Sequence, residues 1–483
     1  MAMPNVAPSV GPSATPYLRT EPGGNYTWIL AALGLVAFAA GSGVALAYGE
    51  MGAFFAALSL IGAMAVMYDF RIGAVLLLIM LPMGATHLFP HSLLGVPGLN
   101  PNNVLVLATL ASYLLRGGKV GLLTPKPLMW LYVIPILIAG AMGMQHVYQI
   151  PSFFELLPYD EPVGYFREEA IRPLLIVAVA MLLGASVARS KKPETFLVPI
   201  IISVWIIALI EIGFILASGV RLGQLASANS RRFFDEIGMH ANDLGRLFAV
   251  AYSLLLFVWW DTKNLRLKTV LFFTLNLSAL ALILSFSRGA FLGFFLVNGL
   301  FLAWKFNAKS VSIALIVAAI ITLMAPEYVW NRLTFGFNAD ANAVSADRID
   351  GIWLPLLPEI WKSPVWGNGL VSIMWSLPMR AGNMLVVGHP HNAYLEAVLD
   401  MGFVGLALLV AYFVHVWRGF RALGSNAYLA PEMRAFFQGA TAALLCFAVT
   451  GWAGSSLRPE DEFAYLWVAI GMMYGMLARK PAS

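Results

Sequence analysis

Long apolar runs recur along this chain and constrain its fold more than any other feature. A helix that crosses a membrane needs about 20 mainly apolar residues, and runs of that kind give about fourteen candidate crossings. Only 11% of the 483 residues are charged and the mean hydropathy is +0.78, whereas a soluble domain is about 25% charged. The sequence therefore predicts an all-α polytopic membrane protein. The runs lie near 27–48, 51–69, 71–90, 103–116, 127–145, 171–188, 195–217, 243–260, 268–286, 289–305, 310–326, 392–417, 432–453 and 464–478.

The lysines and arginines between the runs predict how the helices are oriented. Basic residues concentrate in short cytoplasmic loops, and here they fall in the even-numbered connections and at the C-terminus, as at Lys191, Arg266 and Arg418. Both termini are then cytoplasmic, and the odd-numbered connections face the periplasm of a bacterium. Four regions follow: a Pro-, Gly- and Ser-rich disordered cytoplasmic tail over 1–26, a transmembrane bundle of about eleven spans over 27–326, a periplasmic loop with surface helices over 327–391, and C-terminal transmembrane helices over 392–483.

Several classes of site are disfavoured by the residues present. Cys446 is the single cysteine, which excludes an internal disulfide and argues against a cysteine-based metal cluster. The chain carries no HExxH, Walker or dinucleotide-binding pattern, so no metal and no cofactor is expected. The net charge of +5 follows from the loop bias of a membrane protein, and nothing in the sequence points to nucleic acid.

The polar stretch from Gly388 to Glu396 closes the longest hydrophilic segment and runs into an apolar helix. It carries two imidazoles, His389 and His391, followed by Asn392. Because an imidazole exchanges protons near neutral pH, a histidine at a water–lipid boundary is a candidate general base. The alternative is that this stretch only caps the helix or lies among the headgroups.

Two arginines break the positive-inside trend on the predicted outer side. Arg288 stands between two apolar runs beside Ser287 and Gly289, and a charge so close to hydrocarbon is costly unless it faces a wet cavity or a partner. The alternative is an arginine that snorkels to the interface. Arg348 directly follows Asp347 in the sequence. An exposed ion pair between such neighbours is the ordinary explanation for a charge at this position.

A third outward-facing basic cluster lies before the eighth apolar run. Guanidinium groups match the geometry of phosphate, so the cluster suits an anionic lipid headgroup, although Asn242 and Asp243 would also serve as a plain helix cap. An outward histidine with several outward arginines fits group transfer from a lipid pyrophosphate. The cluster comprises Arg231, Arg232, His240, Asn242 and Arg246.

The motifs in order resemble those of the O-antigen ligase and O-antigen polymerase superfamily of bacterial envelope glycosyltransferases. They are Ser287-Arg288-Gly289-Ala290, Asp347-Arg348 with Trp353, Pro364 with Gly367 and Gly369, and His391-Asn392-x-x-Leu395 with Gly402. The resemblance implies a fold like that of lipid-dependent (GT-C-like) glycosyltransferases and an undecaprenyl-pyrophosphate-linked oligosaccharide as donor. It also implies that His391 is the general base, and that Arg288 and Arg348 bind the pyrophosphate and stabilise its developing charge.

The remaining site residues are assigned to substrate binding, either by the resemblance or by their position. They are Asn392, Ser287, Arg246, Arg231, Arg232, His240 and His389, of which His389 could share the base role or only form hydrogen bonds. No metal is implied, since the arginines would take the part of a divalent cation. Expected partners are the lipid-linked donor, a saccharide or lipid A core acceptor, membrane lipids and a chain-length regulator.

The acceptor distinguishes three reactions: joining lipid-linked repeats, moving a finished glycan to lipid A core, or moving it to protein Ser or Thr. The number of predicted spans and the mixed charge of the outer loops favour a polymerase of O-antigen or exopolysaccharide. The rival of another class is a transporter for lipid-linked glycans. A transporter would place ionisable residues at mid-bilayer depth in several spans, whereas this chain concentrates them at the outer edge.

Overall fold

The computed structural model describes residues 51–84, 86–87, 92–93, 96–97, 100–153, 159, 161–225, 228–324, 326–334, 341–454 and 456–479. The predicted tail over 1–26 and the apolar run 27–48 lie outside the described residues. The chain divides into two compact units, Met1–Ile61 and Gly62–Ser483. In the first unit the structure describes only helical residues from Met51 onward. Apart from the first part of the helix Met51–Tyr68, every feature discussed below lies in the second unit.

Helices make up nearly all of the described chain. They are α1 (Met51–Tyr68), α2 (Phe70–Met80), α3 (Pro101–Leu115), α4 (Lys126–Gln149), α5 (Pro162–Arg189), α6 (Pro193–Ser218), α7 (Ala241–Asp261), α8 (Leu265–Leu284), α9 (Arg288–Trp304), α10 (Ala308–Met324), α11 (Glu327–Thr334), α12 (Leu354–Ile360), α13 (Ala393–Ser425), α14 (Pro431–Thr450) and α15 (Ala464–Leu477). Shorter helical pieces cover Leu81–Met83, Val120–Leu123, Leu222–Leu225, Ala228–Ile237, Ala341–Ser345, Ile349–Trp353, Ser372–Trp375, Leu377–Arg380, Gly451–Ala453 and Asp461–Phe463. A two-residue antiparallel pair, β1 (Ser92–Leu93) with β2 (Val96–Pro97), is the strand structure of the described residues.

Each apolar run predicted from residue 51 onward overlaps a helix, which confirms the predicted all-helical fold. Lipid cannot hydrogen-bond a bare backbone, so an apolar run of this length must satisfy its backbone internally. Within the described residues, seven helices are long and apolar enough to cross a membrane: α4, α5, α6, α7, α8, α13, and α14 extended to Ala453. Helices α3 and α9 are apolar but shorter.

Two helix boundaries differ from the predicted apolar runs: the start of α5 and the end of the helix within the run 71–90. Residues 162–170 were expected in an outer loop, but α5 begins at Pro162. Glu168 accepts hydrogen bonds from Arg167 and Arg172, each at 3.0 Å, so this polar turn carries its charges in local pairs. Within the run predicted at 71–90, the described helix ends at Met83, and Gly84, Thr86 and His87 are not helical. Counting apolar residues misses both boundaries.

Glycines allow α15 to pack closely against α5. A Cβ on Gly184 of α5 would lie 2.5 Å from the carbonyl oxygen of Gly471, and one on Gly475 would overlap the backbone of Gly184. Gly471 and Gly475 are spaced as small residues are at close helix contacts in membranes. This contact anchors the C-terminal helix in the bundle.

A break in α13 is held by the glycine turn at residues 364–369. Gly402 has φ 66° and ψ −175° inside the helix, and the carbonyls of Leu399 and Asp400 accept the N–H groups of Asn368 (2.8 Å) and Gly369 (3.0 Å). The N–H of Phe403 donates to the carbonyl of Pro364 at 2.8 Å. A Cβ on Gly367 would overlap the backbone of Asp400, so this turn lies directly against α13.

Candidate functional site

The loop before α13 is fixed at both ends by hydrogen bonds. Asn392 caps the helix, since its Oδ1 accepts the N–H groups of Tyr394 (3.1 Å) and Leu395 (3.0 Å). The indole of Trp353 donates to the carbonyl of Pro390 at 2.8 Å. Between these anchors His391 has a left-handed backbone, with φ 53°, which a non-glycine residue adopts only when its surroundings impose it. The loop therefore holds His391 in one backbone conformation.

His389 and His391 are in direct contact. Their ring centroids are 4.0 Å apart, edge to face, and the N–H of His391 donates to Nδ1 of His389 at 3.3 Å. Burial, followed by the positive charges of Arg246 and Arg348, lowers the pKa of His389 to about 4, although Asp243 opposes this. Burial, then His389 and Arg348, hold the pKa of His391 well below its usual range. Both imidazoles are therefore neutral at pH 7, the form that accepts a proton.

Helix α7 begins at the same site. Nδ1 of His240 caps it by accepting the N–H of Asn242 at 3.2 Å. Arg246 is buried, with Nε 2.9 Å from Glu462 Oε2 and Nη2 3.5 Å from Asp243 Oδ1. Among the described residues Nη1 of Arg246 has no hydrogen-bond partner. The charge of Arg246 lowers the pKa of both site histidines, so the structure brings His240 and Arg246 to the histidine pair.

The Ser287–Arg288 motif forms the turn into α9. Ser287 caps that helix, since its Oγ accepts the N–H of Ala290 at 3.3 Å, and Arg288 is the first helical residue, half-buried. The turn lies against α7, because a Cβ on Gly245 would come within 2.6 Å of Ala290 Cβ. Gly245 precedes Arg246, so this contact places the Ser287 turn beside the Arg246 segment.

Arg348 enters the site from the long loop. It follows two left-handed residues, Ala346 (φ 58°) and Asp347 (φ 62°), and precedes the short π-helix Ile349–Trp353. Its side chain is half-buried, and its charge lowers the pKa of His389 and of His391. The segment that carries Arg348 is tied to the histidine loop through Trp353. Ile352, Leu356 and Ile360, which follow Arg348 at helical spacing, are all buried.

The remaining predicted site residues are Arg231, Arg232, Asn392 and Ser287. Arg231 and Arg232 lie in the 3₁₀ helix Ala228–Ile237, and their assignment to substrate binding stays a prediction. Asn392 and Ser287 each use the side-chain oxygen as a helix cap, and their assignment to substrate binding also stays a prediction. Within the described part of the chain no group of three or more His, Cys, Asp or Glu side chains could hold a metal ion.

A buried ionic network under the site was not anticipated. The guanidinium of Arg458 donates from Nη2 to Glu396 Oε1 at 3.2 Å and from Nη1 to Glu169 Oε2 at 3.1 Å. The carboxylate of Asp400 accepts the N–H groups of Val371 (2.9 Å) and Ser372 (3.0 Å). The signal in the sequence was the pair of carboxylates Glu396 and Asp400 at the start of a long apolar run, since a buried carboxylate is costly unless paired. The network joins α13 to α5 and to the loop before α15.

A second buried arginine also escaped prediction. Arg332 of α11 is buried, and its Nε donates to the carbonyl of Phe286 at 3.3 Å. Phe286 has a left-handed backbone, with φ 49°, so Arg332 supports the turn that presents Arg288. Nothing in the sequence distinguished Arg332 from the surrounding loop.

Comparison with known proteins agrees with the motifs. Residues 273–410 match a family model described as O-Antigen ligase. The matched range contains Arg288, Arg348, His391 and Gly402, whereas His240, Arg246 and Arg458 lie outside it. No curated protein matches the chain.

Proposed function

We propose that this protein transfers a glycan from undecaprenyl pyrophosphate to a sugar hydroxyl. The match of residues 273–410 to the O-antigen ligase model supports the O-antigen ligase superfamily for this chain. The observation that carries the proposal is the histidine pair with its cationic neighbours. Two imidazoles in contact are kept neutral beside Arg246 and Arg348. A neutral base next to fixed positive charges suits a reaction in which a hydroxyl loses its proton and a pyrophosphate anion leaves.

In the proposed reaction His391 takes the proton of the acceptor hydroxyl. The hydroxyl oxygen forms a bond to the anomeric carbon of the donor sugar as the bond from that carbon to the pyrophosphate oxygen breaks. The electron pair leaves with undecaprenyl pyrophosphate, whose charge Arg348 and Arg288 stabilise. A single displacement inverts the anomeric carbon. His389 positions the base, since its Nδ1 accepts the N–H of His391.

The same proposal includes the membrane arrangement. With about fourteen crossings and both termini in the cytoplasm, the histidine loop lies at the periplasmic face of the bacterial inner membrane. The lipid-linked donor would bind at this face. The architecture is then of the lipid-dependent, GT-C-like kind, with residues 327–391 covering the substrate cavity. Support for this orientation comes from the basic residues in the even-numbered connections. In this arrangement α9, which begins at Arg288, and α13, which follows His391, both start at the periplasmic side.

We propose that the acceptor is another lipid-linked repeat, so that the enzyme polymerises O-antigen or exopolysaccharide. The mixed charge of the outer segments supports this, because a phosphorylated lipid A core acceptor favours a strongly basic surface. Deleting the gene is expected to leave single repeats on the lipid carrier, as seen by mass spectrometry of extracted lipids. Intact long chains on the carrier would show a ligase instead, and loss of glycan from modified proteins would show a protein transferase.

The pH dependence of transfer follows from the lowered histidine pKa values. An ordinary histidine becomes protonated, and so useless as a base, as the pH falls through about 6.5. Here the neutral form persists to lower pH, because the pKa of His389 is about 4 and that of His391 is also well below its usual range. We therefore expect kcat/KM, which reports the free enzyme, to stay level from pH 8 to below pH 6. A fall centred near 6.5 would contradict this.

A further inference from the structure

A polar cavity of about 170 Å³ lies between the end of α4 and the segment 359–380. It is separate from the histidine pair and has no part in the reaction above. Apart from Ile373 and Leu399, every residue that lines it carries a side-chain nitrogen or oxygen. An apolar cavity of about 150 Å³ holds a benzene ring, so the space suits one six-membered ring.

Two buried polar atoms of the lining lack a hydrogen-bond partner in the described part of the chain. They are Nε1 of Trp375 and Nδ1 of His146. Trp375 is only 5% exposed, and the imidazole of His146 stacks on it, with centroids 5.4 Å apart and planes 19° apart. A buried donor left unpaired is unfavourable, so a ligand that supplies an acceptor oxygen would satisfy the indole N–H.

The rest of the lining offers donors and acceptors together. Lys362 donates to Glu359 at 2.7 Å, and Asn368 contributes an amide. Arg380 is exposed at the rim. With Glu359 balanced by Lys362, Arg380 leaves the lining with one surplus positive charge. Hydroxyl groups both donate and accept, so this lining matches a hydroxyl-rich ring, and the surplus charge favours an acidic substituent on it.

The cavity is joined to the proposed active site through the first part of α13. Leu399 forms part of the lining, and Ser372 of the lining donates its hydroxyl to Asp400 at 2.8 Å. Leu399 comes seven residues after the Asn392 cap, which is a rise of about 10 Å along a helix. A short oligosaccharide can bridge such a distance.

We propose that this cavity is a saccharide subsite that binds a sugar residue of the glycan acceptor, at a distance from the hydroxyl that reacts. The assignment of the sugar to the acceptor rests on the proposed function. Binding of a saccharide to the cavity does not depend on it. The subsite would help to hold the growing glycan while its terminal hydroxyl is at His391.

The test compares Trp375→Phe, which removes the indole N–H and keeps an aromatic ring, with Arg380→Gln at the exposed rim. The probe is the labelled oligosaccharide that mild acid releases from the surface polysaccharide of the producing strain. Binding to purified full-length protein in nanodiscs is measured by titration. We expect binding to weaken about threefold to tenfold for Trp375→Phe, as for one neutral hydrogen bond, and roughly tenfold for Arg380→Gln. Arg418→Gln, exposed at the far end of α13, is the matched control and should bind as wild type.

Kinetics then distinguish the source of the sugar. With the released, carrier-free oligosaccharide as acceptor, KM for this acceptor rises in Trp375→Phe and Arg380→Gln if the cavity holds the acceptor, while KM for the lipid-linked donor and kcat stay near wild type. A rise in the donor KM instead would overturn the acceptor assignment. Wild-type binding by both variants would overturn the subsite itself. His391→Ala should bind the oligosaccharide normally, so that failure of the general-base proposal would leave the binding result intact.

Discussion

Replacing His391 by alanine is expected to lower the rate of glycan transfer by about 10²- to 10⁴-fold, the usual contribution of a positioned general base. The loop around it should persist, because Asn392 caps α13 and Trp353 holds the carbonyl of Pro390. The measurement is kcat with purified protein, lipid-linked donor and acceptor. The melting temperature should stay within a few degrees of wild type.

The matched control for His391→Ala is His415→Ala. His415 lies on α13, the helix that follows the histidine loop, toward the end far from His391. The His415→Ala variant should transfer glycan at the wild-type rate. His389→Ala is expected to fall between the two, because it removes the acceptor of the His391 N–H and not the base itself. Wild-type activity in His391→Ala would show that another group takes the proton.

Replacing Gly402 by alanine is expected to destabilise the protein by roughly 2–6 kcal/mol, if the backbone conformation and the steric overlap each cost about 1–3 kcal/mol. The conformation at Gly402, φ 66° and ψ −175°, is one that only glycine adopts readily. A Cβ there would also overlap the backbone of Val365. Thermal unfolding of detergent-purified protein, together with the monodisperse yield, measures the loss.

Gly299→Ala is the matched control for this substitution. Gly299 lies within α9, where an added Cβ would meet nothing within 4 Å, and alanine favours a helix over glycine by about 1 kcal/mol. This variant should be as stable as wild type or slightly more so. Equal stability of Gly402→Ala and Gly299→Ala would mean that the break in α13 does not depend on glycine.

The length of the apolar runs predicted most of the helical fold. The break between α8 and α9 was expected from Arg288 between two apolar runs, and the structure places Ser285, Phe286 and Ser287 there. The apolar runs did not predict the charged first turns of α5, which starts at Pro162. In these turns Glu168 pairs with Arg167 and Arg172. A hydropathy count cannot register such pairing.

The sequence predicted individual residues of the candidate site, but it did not predict the pairs that they form. The sequence singled out His389, His391, Arg246 and Arg348, and the structure brings their charges close enough to shift the histidine pKa values. The pairing of Arg246 with Glu462 joins residues that are far apart in the chain, as does the pairing of Arg458 with Glu169. Only the folded bundle brings such partners together.

Whether the lipid carrier is released is the measurement that tests the proposed function most directly. Purified protein in nanodiscs is given undecaprenyl-pyrophosphate-linked glycan and an acceptor, and free undecaprenyl pyrophosphate and elongated glycan are quantified by mass spectrometry. We expect one carrier released for each glycan transferred, with both products lost in His391→Ala. If proteoliposomes instead move the glycan across the bilayer still attached to its carrier, and release none, the protein is a transporter and not a glycosyltransferase.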